Sequence, residues 1–349
     1  MVDFLIVGSG LAGICFAETA IQNNKSILVI DNQGSSASKV AAGIYNPVVL
    51  KRFSEVWNAK KQLDIALPFY EAIAQKLDII FDYSLPIYRR FASIEEQNNW
   101  FQAADKPNLS VFLDSSLVVE KNPFIKSPFG FGKVHQTGYI DTANLISNYI
   151  NYLVDLNSYQ SIDFDYSQLS IKKDYLVYKN HQAKHIVFAE GYGLLSNPFF
   201  NHLPLDGTKG EILTIFAPQL NLDTIIMSNI FIVPLVNNFF KVGATYNWND
   251  KTYIPTESAK TELLSNLKDL LNCNFEVVSH SAGIRPTVKD RRPLVGTHSK
   301  FSNLHILNGL GTRGVMLGPY LARQLFDHIV FKSPLENQID IHRFYKNQK

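Results

Sequence analysis

The stretch Phe4-Leu5-Ile6-Val7-Gly8-Ser9-Gly10-Leu11-Ala12-Gly13 decides the predicted fold. Its first four residues form a continuous apolar run, which is typical of a parallel strand buried on both faces. A helix-compatible segment follows up to Asn23, and a second apolar run, Ile27-Leu28-Val29-Ile30, ends in Asp31. The order of strand, glycine-rich turn, helix and strand predicts a βαβ unit.

The glycines of this turn, Gly8, Gly10 and Gly13, have the spacing of a dinucleotide-binding fingerprint. Such glycines allow a sharp turn and tight packing of helix on strand, and backbone N–H groups at the helix start bind the diphosphate. Asp31 follows about 20 residues later, where a carboxylate accepts hydrogen bonds from a ribose hydroxyl. The same carboxylate disfavours NADP, so FAD and NAD remain. A tight βα turn with a solvated Asp31 is the alternative.

Composition sets the class of protein. The 349 residues include 33 Lys and Arg against 31 Asp and Glu, and 46% are hydrophobic, which predicts two or three ordered structural units. The net charge of +2 gives no overall reason to expect nucleic-acid binding. No apolar run of about 18 residues occurs, which argues against a membrane span. Two cysteines form no disulfide framework and the nine histidines lack metal-ligand spacing, so we expect a cytoplasmic protein without a metal.

The middle of the chain has a different pattern. Asp141 is placed to cap a helix with apolar residues on one face, and Thr256 to cap another. Residues 185–189 resemble a buried strand. Residues 210–216, 230–236 and 239–246 predict antiparallel strands, with Asn237-Asn238 as a two-residue hairpin turn. The end of the chain returns to the first pattern, with a strand at 304–307, a glycine-rich turn and a helix at 315–329.

Several motifs, in their order and spacing, resemble the FAD-dependent D-amino-acid oxidase and glycine oxidase superfamily over nearly the whole chain. They are the first glycine turn with Asp31, Ala41-Ala42-Gly43, Ile186-Val187-Phe188-Ala189-Glu190-Gly191, Gly283-Ile284-Arg285-Pro286-Thr287-Val288-Lys289-Asp290, Pro293-Leu294-Val295-Gly296 and Gly309-Leu310-Gly311-Thr312-Arg313-Gly314. Residues 285–290 and 309–314 are most similar to the FAD domain of the bifunctional enzyme that makes 5-methylaminomethyl-2-thiouridine in tRNA.

The resemblance implies an α/β FAD-binding Rossmann-like domain and an α+β substrate domain with a mostly antiparallel sheet. The FAD-binding domain would comprise 1–50, 139–203 and 281–349, and the substrate domain 51–138 and 204–280. FAD would be bound non-covalently, because Arg285 occupies the region where sarcosine oxidase attaches FAD through Cys. The implied cofactor-binding residues are Gly8, Gly10, Leu11, Ala12, Gly13, Asp31, Ala42, Gly43, Gly191, Gly311, Thr312, Arg313 and Gly314.

Two further residues are candidates for catalysis. The planar fork of Arg285 matches a carboxylate, and the resemblance implies that it anchors the substrate carboxylate; an ion pair with Asp290 is the alternative. Lys241 matches the lysine that activates dioxygen in monomeric sarcosine oxidase, and its alternative is an outward-facing side chain. Arg313 either adds positive charge near the flavin ring or faces solvent. Tyr45, Tyr246 and Trp248 are weaker candidates for an amine pocket.

The implied reaction is oxidation of a C–N bond next to a carboxylate in an amino acid or N-carboxymethyl amine, with hydride passing to flavin N5 and hydrolysis of the imine. Dioxygen or an unknown acceptor would take the electrons. The first alternative is the same chemistry on carboxymethylaminomethyl uridine in tRNA, contacted by Tyr88-Arg89-Arg90-Phe91 and by Lys289 with Arg291-Arg292. The second is a nucleotide-binding redox sensor without turnover.

Overall fold

The computed structural model describes residues 1–119 and 122–345. Within them the chain forms 20 strands: β1 (Val2–Val7), β2 (Ile27–Asp31), β3 (Ile44–Tyr45), β4 (Val48–Val49), β5 (Ser54–Glu55), β6 (Asp82–Ser84), β7 (Ile87–Arg90), β8 (Phe131–Val134), β9 (Gly138–Ile140), β10 (Tyr159–Ser161), β11 (Leu169–Ile171), β12 (Leu176–Tyr178), β13 (His181–Phe188), β14 (Leu205–Phe216), β15 (Ile225–Met227), β16 (Phe231–Pro234), β17 (Phe239–Gly243), β18 (Glu276–Val288), β19 (Leu294–Thr297) and β20 (Leu304–Asn308).

The same residues form seven α-helices: α1 (Leu11–Gln22), α2 (Ala37–Val40), α3 (Ala59–Leu77), α4 (Ile94–Ala104), α5 (Thr142–Asp155), α6 (Glu257–Leu270) and α7 (Gly314–Phe331). Short 3-10 turns lie at Tyr166–Gln168, Gly191–Ser196, Val236–Asn238 and Ile341–Phe344. No helix of the described residues combines the length and apolar character needed to cross a bilayer.

The first sheet is built on the predicted βαβ unit. Its parallel centre has the order β10, β2, β1, β13, and the carboxyl half of β13 pairs in parallel with β20. Both faces are covered, because Phe4 and Ile6 of β1 pack into one apolar cluster while Leu5 and Val7 pack into another. In such a sheet, ligands bind where the carboxyl ends of the strands meet. Here that edge carries the glycine turn, Asp31, Gly191 and the turn before α7.

Helices α1 and α7 cover one face of this sheet. They approach closely because Gly318 faces Cys15, whose Sγ would lie 2.8 Å from a Cβ at Gly318. Cys15 is fully buried, as expected for a packing residue, and burial raises the pKa of its thiol well above the usual range. Cys15 therefore contributes to packing between the two helices.

The second sheet has the order β18, β14, β17, β16, β15, β7, β8. All its pairs are antiparallel except β15 with β7, so the predicted mostly antiparallel sheet is confirmed. The long strands β14 and β18 pair from Leu205 with Val288 to Phe216 with Glu276, and both contribute residues to the cavity described below. They place one face of the second sheet over the carboxyl edge of the first.

The predicted caps are also confirmed. The Asp141 side chain accepts a hydrogen bond from Asn144 N at the start of α5, and Thr256 accepts one from Ala259 N at the start of α6. The predicted two-residue hairpin is wrong in length, because β16 ends at Pro234 and a 3-10 turn intervenes before β17. Asn237 and Asn238 nonetheless adopt the positive φ expected of them, 58° and 61°.

The predicted division into two discontinuous domains stays a prediction, although the two sheets follow its outline. Residues 346–349 of the predicted FAD-binding domain lie outside the described residues. Residues 120 and 121 of the predicted substrate domain do so as well.

Candidate active site

A cavity of about 950 Å³ lies between the carboxyl edge of the first sheet and the face of the second. Arg285 lines it, and so do all the predicted cofactor-binding residues except Gly13. These are Gly8, Gly10, Leu11, Ala12, Asp31, Ala42, Gly43, Gly191, Gly311, Thr312, Arg313 and Gly314. The volume is at the upper end of the range typical of small-molecule and cofactor pockets. Segments far apart in the sequence thus come together at one site.

The glycine turn has the shape that a diphosphate requires. Gly8 has φ +102°, and a Cβ at Gly13 would lie 1.9 Å from Gly8 O, so only glycine permits this approach of α1 to β1. Gly10 precedes the first residue of α1, and Leu11 N at the helix start donates to Ser38 Oγ at 3.2 Å. The other backbone N–H groups of the first turn of α1 lie at the edge of the cavity, where they can bind an anion.

Asp31 stands at the end of β2 beside this turn. Its Oδ2 accepts a hydrogen bond from Ser9 N at 2.8 Å, and its Oδ1 accepts one from Gln33 N at 2.5 Å. Each carboxylate oxygen has a second lone pair, so the group can still accept from a ribose hydroxyl. The glycine turn, the start of α1 and Asp31 together fit a dinucleotide such as FAD.

Arg285 projects from β18 into the opposite end of the cavity. Its guanidinium lies above Gly210 of β14, where a Cβ would be 2.1 to 2.2 Å from Nη1, Nη2 and Cζ. Nη1 donates to Thr245 O at 3.2 Å, and the Tyr246 ring lies 4.4 Å from Cζ. Burial lowers the pKa of Arg285 from its usual value. The missing side chain of Gly210 thus makes the space that Arg285 occupies.

No carboxylate of the described residues pairs with Arg285. The predicted alternative partner, Asp290, instead binds Nε of Arg343 at 2.9 Å, so that alternative is wrong. Arg313, at the residue before α7, also has no carboxylate partner among the described residues, and burial lowers its pKa. The acids that line the cavity, Asp31, Asp163 and Glu190, belong to the first sheet and its connections. Two unpaired cations therefore face one end of the cavity.

Lys241 lies behind the cavity wall. Its neighbours Phe240 and Val242 pack into the core on the opposite face of β17, so the outward-facing alternative is wrong. Its Nζ donates to Ala41 O at 3.2 Å, within the segment Ala41-Ala42-Gly43 that lines the cavity. Burial lowers the pKa of Lys241, and the charge of Asp141 acts in the opposite direction. Its catalytic role stays a prediction.

The loop after β17 carries Tyr246 to the cavity and continues to Trp248. The fully buried Lys209 anchors this loop from the other face of β14, because its Nζ binds Asp250 Oδ2 and Ile254 O. Tyr246 is 62% exposed and lines the cavity. Trp248 is 42% exposed and lies 5.1 Å from the guanidinium of Arg291. Trp248 and Arg291 do not line the cavity. Together with Tyr246 at the Arg285 end, these exposed side chains are called the rim below.

Other sequence candidates lie elsewhere. Tyr45 is buried and donates to Asp82 at 3.1 Å, outside the residues that line this cavity, so its proposed place in an amine pocket is wrong. Arg89 pairs with Glu96 at 2.7 Å and donates to Ser228 O, and Arg90 donates to Lys126 O. Arg89 is therefore paired within the fold, whereas Arg90 has no carboxylate partner among the described residues, and contact of this run with phosphate stays a prediction.

The sequence also missed residues of the site. Met227 at the end of β15 and Ser228, Asn229 and Ile230 in the connection to β16 line part of the cavity. This segment is placed by the parallel pairing of β15 with β7, which no local pattern predicts. Glu190 and Tyr166 also line the cavity. The position of Glu190 directly before Gly191 at a strand end was the one available signal.

Metal ligands would need several acidic, histidine or cysteine side chains close together. No group of three or more such side chains in residues 1–119 and 122–345 is arranged to hold a metal ion. That the protein works without a metal stays a prediction.

Comparisons with known proteins agree with this geometry. Glycine oxidase of Bacillus subtilis (strain 168) is 23% identical over 370 residues, covering 99% of this chain and 97% of that protein. The tRNA 5-methylaminomethyl-2-thiouridine biosynthesis bifunctional protein MnmC of Marinobacter nauticus is 21% identical, covering 99% of this chain and 59% of that protein. The crystal structure of glycine oxidase from Geobacillus kaustophilus has the same fold, with a TM-score of 0.78, 19% identity and coverage of 100% of this chain and 99% of that one.

A family model described as FAD dependent oxidoreductase matches residues 3–328, which include the glycine turn, Arg285 and the turn before α7. The chain thus belongs to the DAO family of FAD-dependent oxidoreductases, and its cofactor is FAD.

Proposed function

We propose that the chain oxidises a C–N bond next to a carboxylate in a small amino acid or an N-carboxymethyl amine. The observation that carries this proposal is the half-buried guanidinium of Arg285, which lines the cofactor cavity and has no carboxylate partner among the described residues. A desolvated cation without a partner is costly, and a substrate carboxylate offsets that cost through two charge-assisted hydrogen bonds.

The reaction that fits is a two-electron oxidation. Bound FAD supplies the hydride acceptor. The carbon between amine and carboxylate loses its hydride, the amine nitrogen forms a double bond to that carbon, and water then splits the imine into an amine and an oxo acid. The residues of this chain position the substrate and set the electrostatics, while the cofactor provides the redox chemistry.

The protonation state of the substrate follows from the charges around it. Only a neutral amine has the lone pair that forms the new bond. Arg285 and Arg313 supply positive charge at this end of the cavity, and the acids that line it belong to the first sheet. Nearby positive charge lowers the pKa of an ammonium group. The site therefore favours the neutral amine without a dedicated general base.

The test is anaerobic mixing of the yellow protein with glycine, sarcosine, D-amino acids, proline and N-carboxymethyl amines, followed by the loss of flavin absorbance. We expect bleaching by at least one carboxylate-bearing amine and none by its amide. Arg285→Lys should lower kcat/KM for that substrate, with FAD still bound. The decrease should correspond to a loss of about 1–3 kcal/mol in transition-state stabilisation. Equal reaction of the acid and its amide, in wild type and variant alike, would contradict the assignment of Arg285.

A second candidate is the same oxidation on a carboxymethylaminomethyl uridine in tRNA. It is favoured by the exposed Tyr246 and Trp248 beside Arg291 at the rim, since unpaired bases stack on aromatic side chains and guanidinium planes. The bifunctional relative is named for biosynthesis of a related tRNA nucleoside. The same rim would let a free small amine pass, so the two candidates differ in what binds outside the cavity.

Salt and the rim residues distinguish the candidates. Activity on tRNA should fall steeply as salt rises, because phosphate contacts release counterions, and Trp248→Ala should weaken tRNA binding by about 1–3 kcal/mol. Tyr175→Ala is the matched control, because Tyr175 is an exposed aromatic side chain outside the cavity lining. Salt-insensitive oxidation of a small amine, unchanged in Trp248→Ala, would exclude the tRNA candidate.

A further inference from the structure

Glu190 is an acid in the cofactor cavity that the proposed chemistry does not use. It is the second residue after β13, directly before Gly191, and it lines the cavity. Its backbone N would lie 3.3 Å from a Cβ placed on Gly8. Glu190 therefore stands next to the glycine turn at which the cofactor diphosphate binds.

The Glu190 carboxyl is held by neutral groups. Its Oε1 accepts a hydrogen bond from the Tyr166 hydroxyl, and its Oε2 accepts one from Asn197 Nδ2 at 2.8 Å. No lysine, arginine or histidine of the described residues lies within ion-pair distance of it. An ionised Glu190 would thus be a partly desolvated negative charge without a cation.

The other charged groups of the cavity do not supply a cation that would stabilise an ionised Glu190. The other ionisable groups that line the cavity are Asp31, Asp163, Lys39, Arg285, Arg313, Tyr166, Tyr192, Tyr246 and Tyr253. Asp31 and Asp163 are acids and would repel an ionised Glu190. The ammonium of Lys39 donates to Gln33 O and Gly34 O. The two arginines face the other end of the cavity, beside Tyr246.

Binding of the cofactor strengthens the preference for the neutral acid. The diphosphate brings negative charge to the start of α1, next to Glu190, and filling the cavity removes water from the carboxyl. Both effects favour the protonated form. We propose that Glu190 enters the FAD complex as the protonated acid, so that FAD binding takes up one proton at this side chain.

Even before FAD binds, the structure favours the protonated form of Glu190. Burial raises the pKa of Glu190 to about 7, although the hydrogen bonds from Tyr166 and Asn197 act in the opposite direction. The proton that FAD binding requires is therefore present at low pH and has to be taken up at higher pH. FAD affinity should consequently fall as the pH rises above neutrality.

The test is the dissociation constant of FAD for the apoprotein, measured by flavin fluorescence from about pH 6 to about pH 9. For the wild type we expect Kd to rise toward about tenfold per pH unit above the pKa of Glu190, which is the limit for one linked proton. Glu190→Gln mimics the neutral acid, since its Nε2 can donate to the Tyr166 oxygen, and should remove the dependence. Asp163→Asn is the matched control and should keep the wild-type slope.

Two further measurements keep the proposal testable if Glu190→Gln fails to fold. Calorimetric titration of wild-type apoprotein with FAD at about pH 8, in buffers of different ionisation enthalpy, should show uptake of nearly one proton. Tyr166→Phe removes a hydrogen bond that favours the ionised acid, so the rise in Kd should begin at higher pH. A wild-type slope retained in Glu190→Gln, or no proton uptake by the wild type, would overturn the proposal.

Discussion

Gly210→Ala tests the Arg285 assignment without removing any functional group. The new Cβ would lie 2.1 Å from Nη2 and 2.2 Å from both Nη1 and Cζ of Arg285. Ordinary contacts between such atoms begin near 3.5 Å, so the guanidinium has to move by about 1.3 Å. The charge stays in the cavity, but its position relative to the cofactor changes.

The expected loss follows from the contact that this shift breaks. A displacement of about 1 Å in a positioned group costs on the order of 100-fold in rate. Loss of a charge-assisted hydrogen bond costs about 1.5–3 kcal/mol, which corresponds to roughly tenfold to 150-fold in kcat/KM. We therefore expect a decrease in this range for a carboxylate-bearing amine, mostly as a higher KM, because the carboxylate is bound in both ground and transition states.

The assay is a double-mutant cycle in steady-state kinetics, with FAD affinity measured alongside. Gly210→Ala should leave FAD affinity unchanged, and should have no further effect once Arg285→Ala has removed the guanidinium. Gly193→Ala is the matched control, because its Cβ would meet its nearest atom, Cβ of Glu190, at an ordinary 3.6 Å. Additive effects of Gly210→Ala and Arg285→Ala would refute the reasoning, since the first would then act through something other than Arg285.

Three other outcomes are expected. Acid precipitation should release all the flavin, because Cys15 is buried in α1 and neither cysteine lines the cavity; yellow colour left in the pellet would show a covalent link. Lys241→Met should slow reoxidation by dioxygen more than reduction by substrate in stopped-flow experiments, since only the oxygen step builds negative charge that an ammonium stabilises, and Lys241→Arg should retain most of the rate. Equal effects on both steps would limit Lys241 to positioning Ala41. Finally, Glu190 has a folded-state pKa of about 7 against 4.5 for a free glutamate, so its contribution to the stability of the apoprotein is present below about pH 4.5 and is lost as the pH rises through about 7. Urea unfolding at about pH 5 and about pH 8 measures the free energy of unfolding. Glu190→Gln should recover up to about 3 kcal/mol of the stability that the wild type loses between these two pH values, and an identical pH dependence of variant and wild type would contradict the prediction.

The sequence predicts well those elements that local chemistry determines. The apolar run of β1 and the glycine turn determine the βαβ unit, and the side chains of Asp141 and Thr256 determine where α5 and α6 begin. Helix α3 shows the opposite case. Asn58 precedes it in a left-handed conformation with no side-chain cap, and Pro68 lies inside it, so the usual signals of a helix start and interior are absent.

The functional site shows the same division. The residues of the glycine turns and Arg285 are recognisable as motifs, and the structure brings them to one cavity. Their partners are not readable from the sequence, because they depend on pairing between distant strands. Gly210 makes room for Arg285 through the pairing of β14 with β18, and Arg89 is neutralised by Glu96, which a basic run in the sequence does not reveal.

Under the proposed function, substrate choice should depend on two separate parts of this site. We expect Arg285 to recognise a carboxylate next to an amine, and both a free N-carboxymethyl amine and a carboxymethylaminomethyl uridine carry that group. A displaced Arg285 should therefore lower activity on either substrate by a similar factor. Of the rim residues, Tyr246 lines the cavity, whereas Trp248 and Arg291 do not and would contact only a substrate that extends beyond the cavity. Substitutions in the rim should change the size of substrate that binds while the chemistry at Arg285 stays the same.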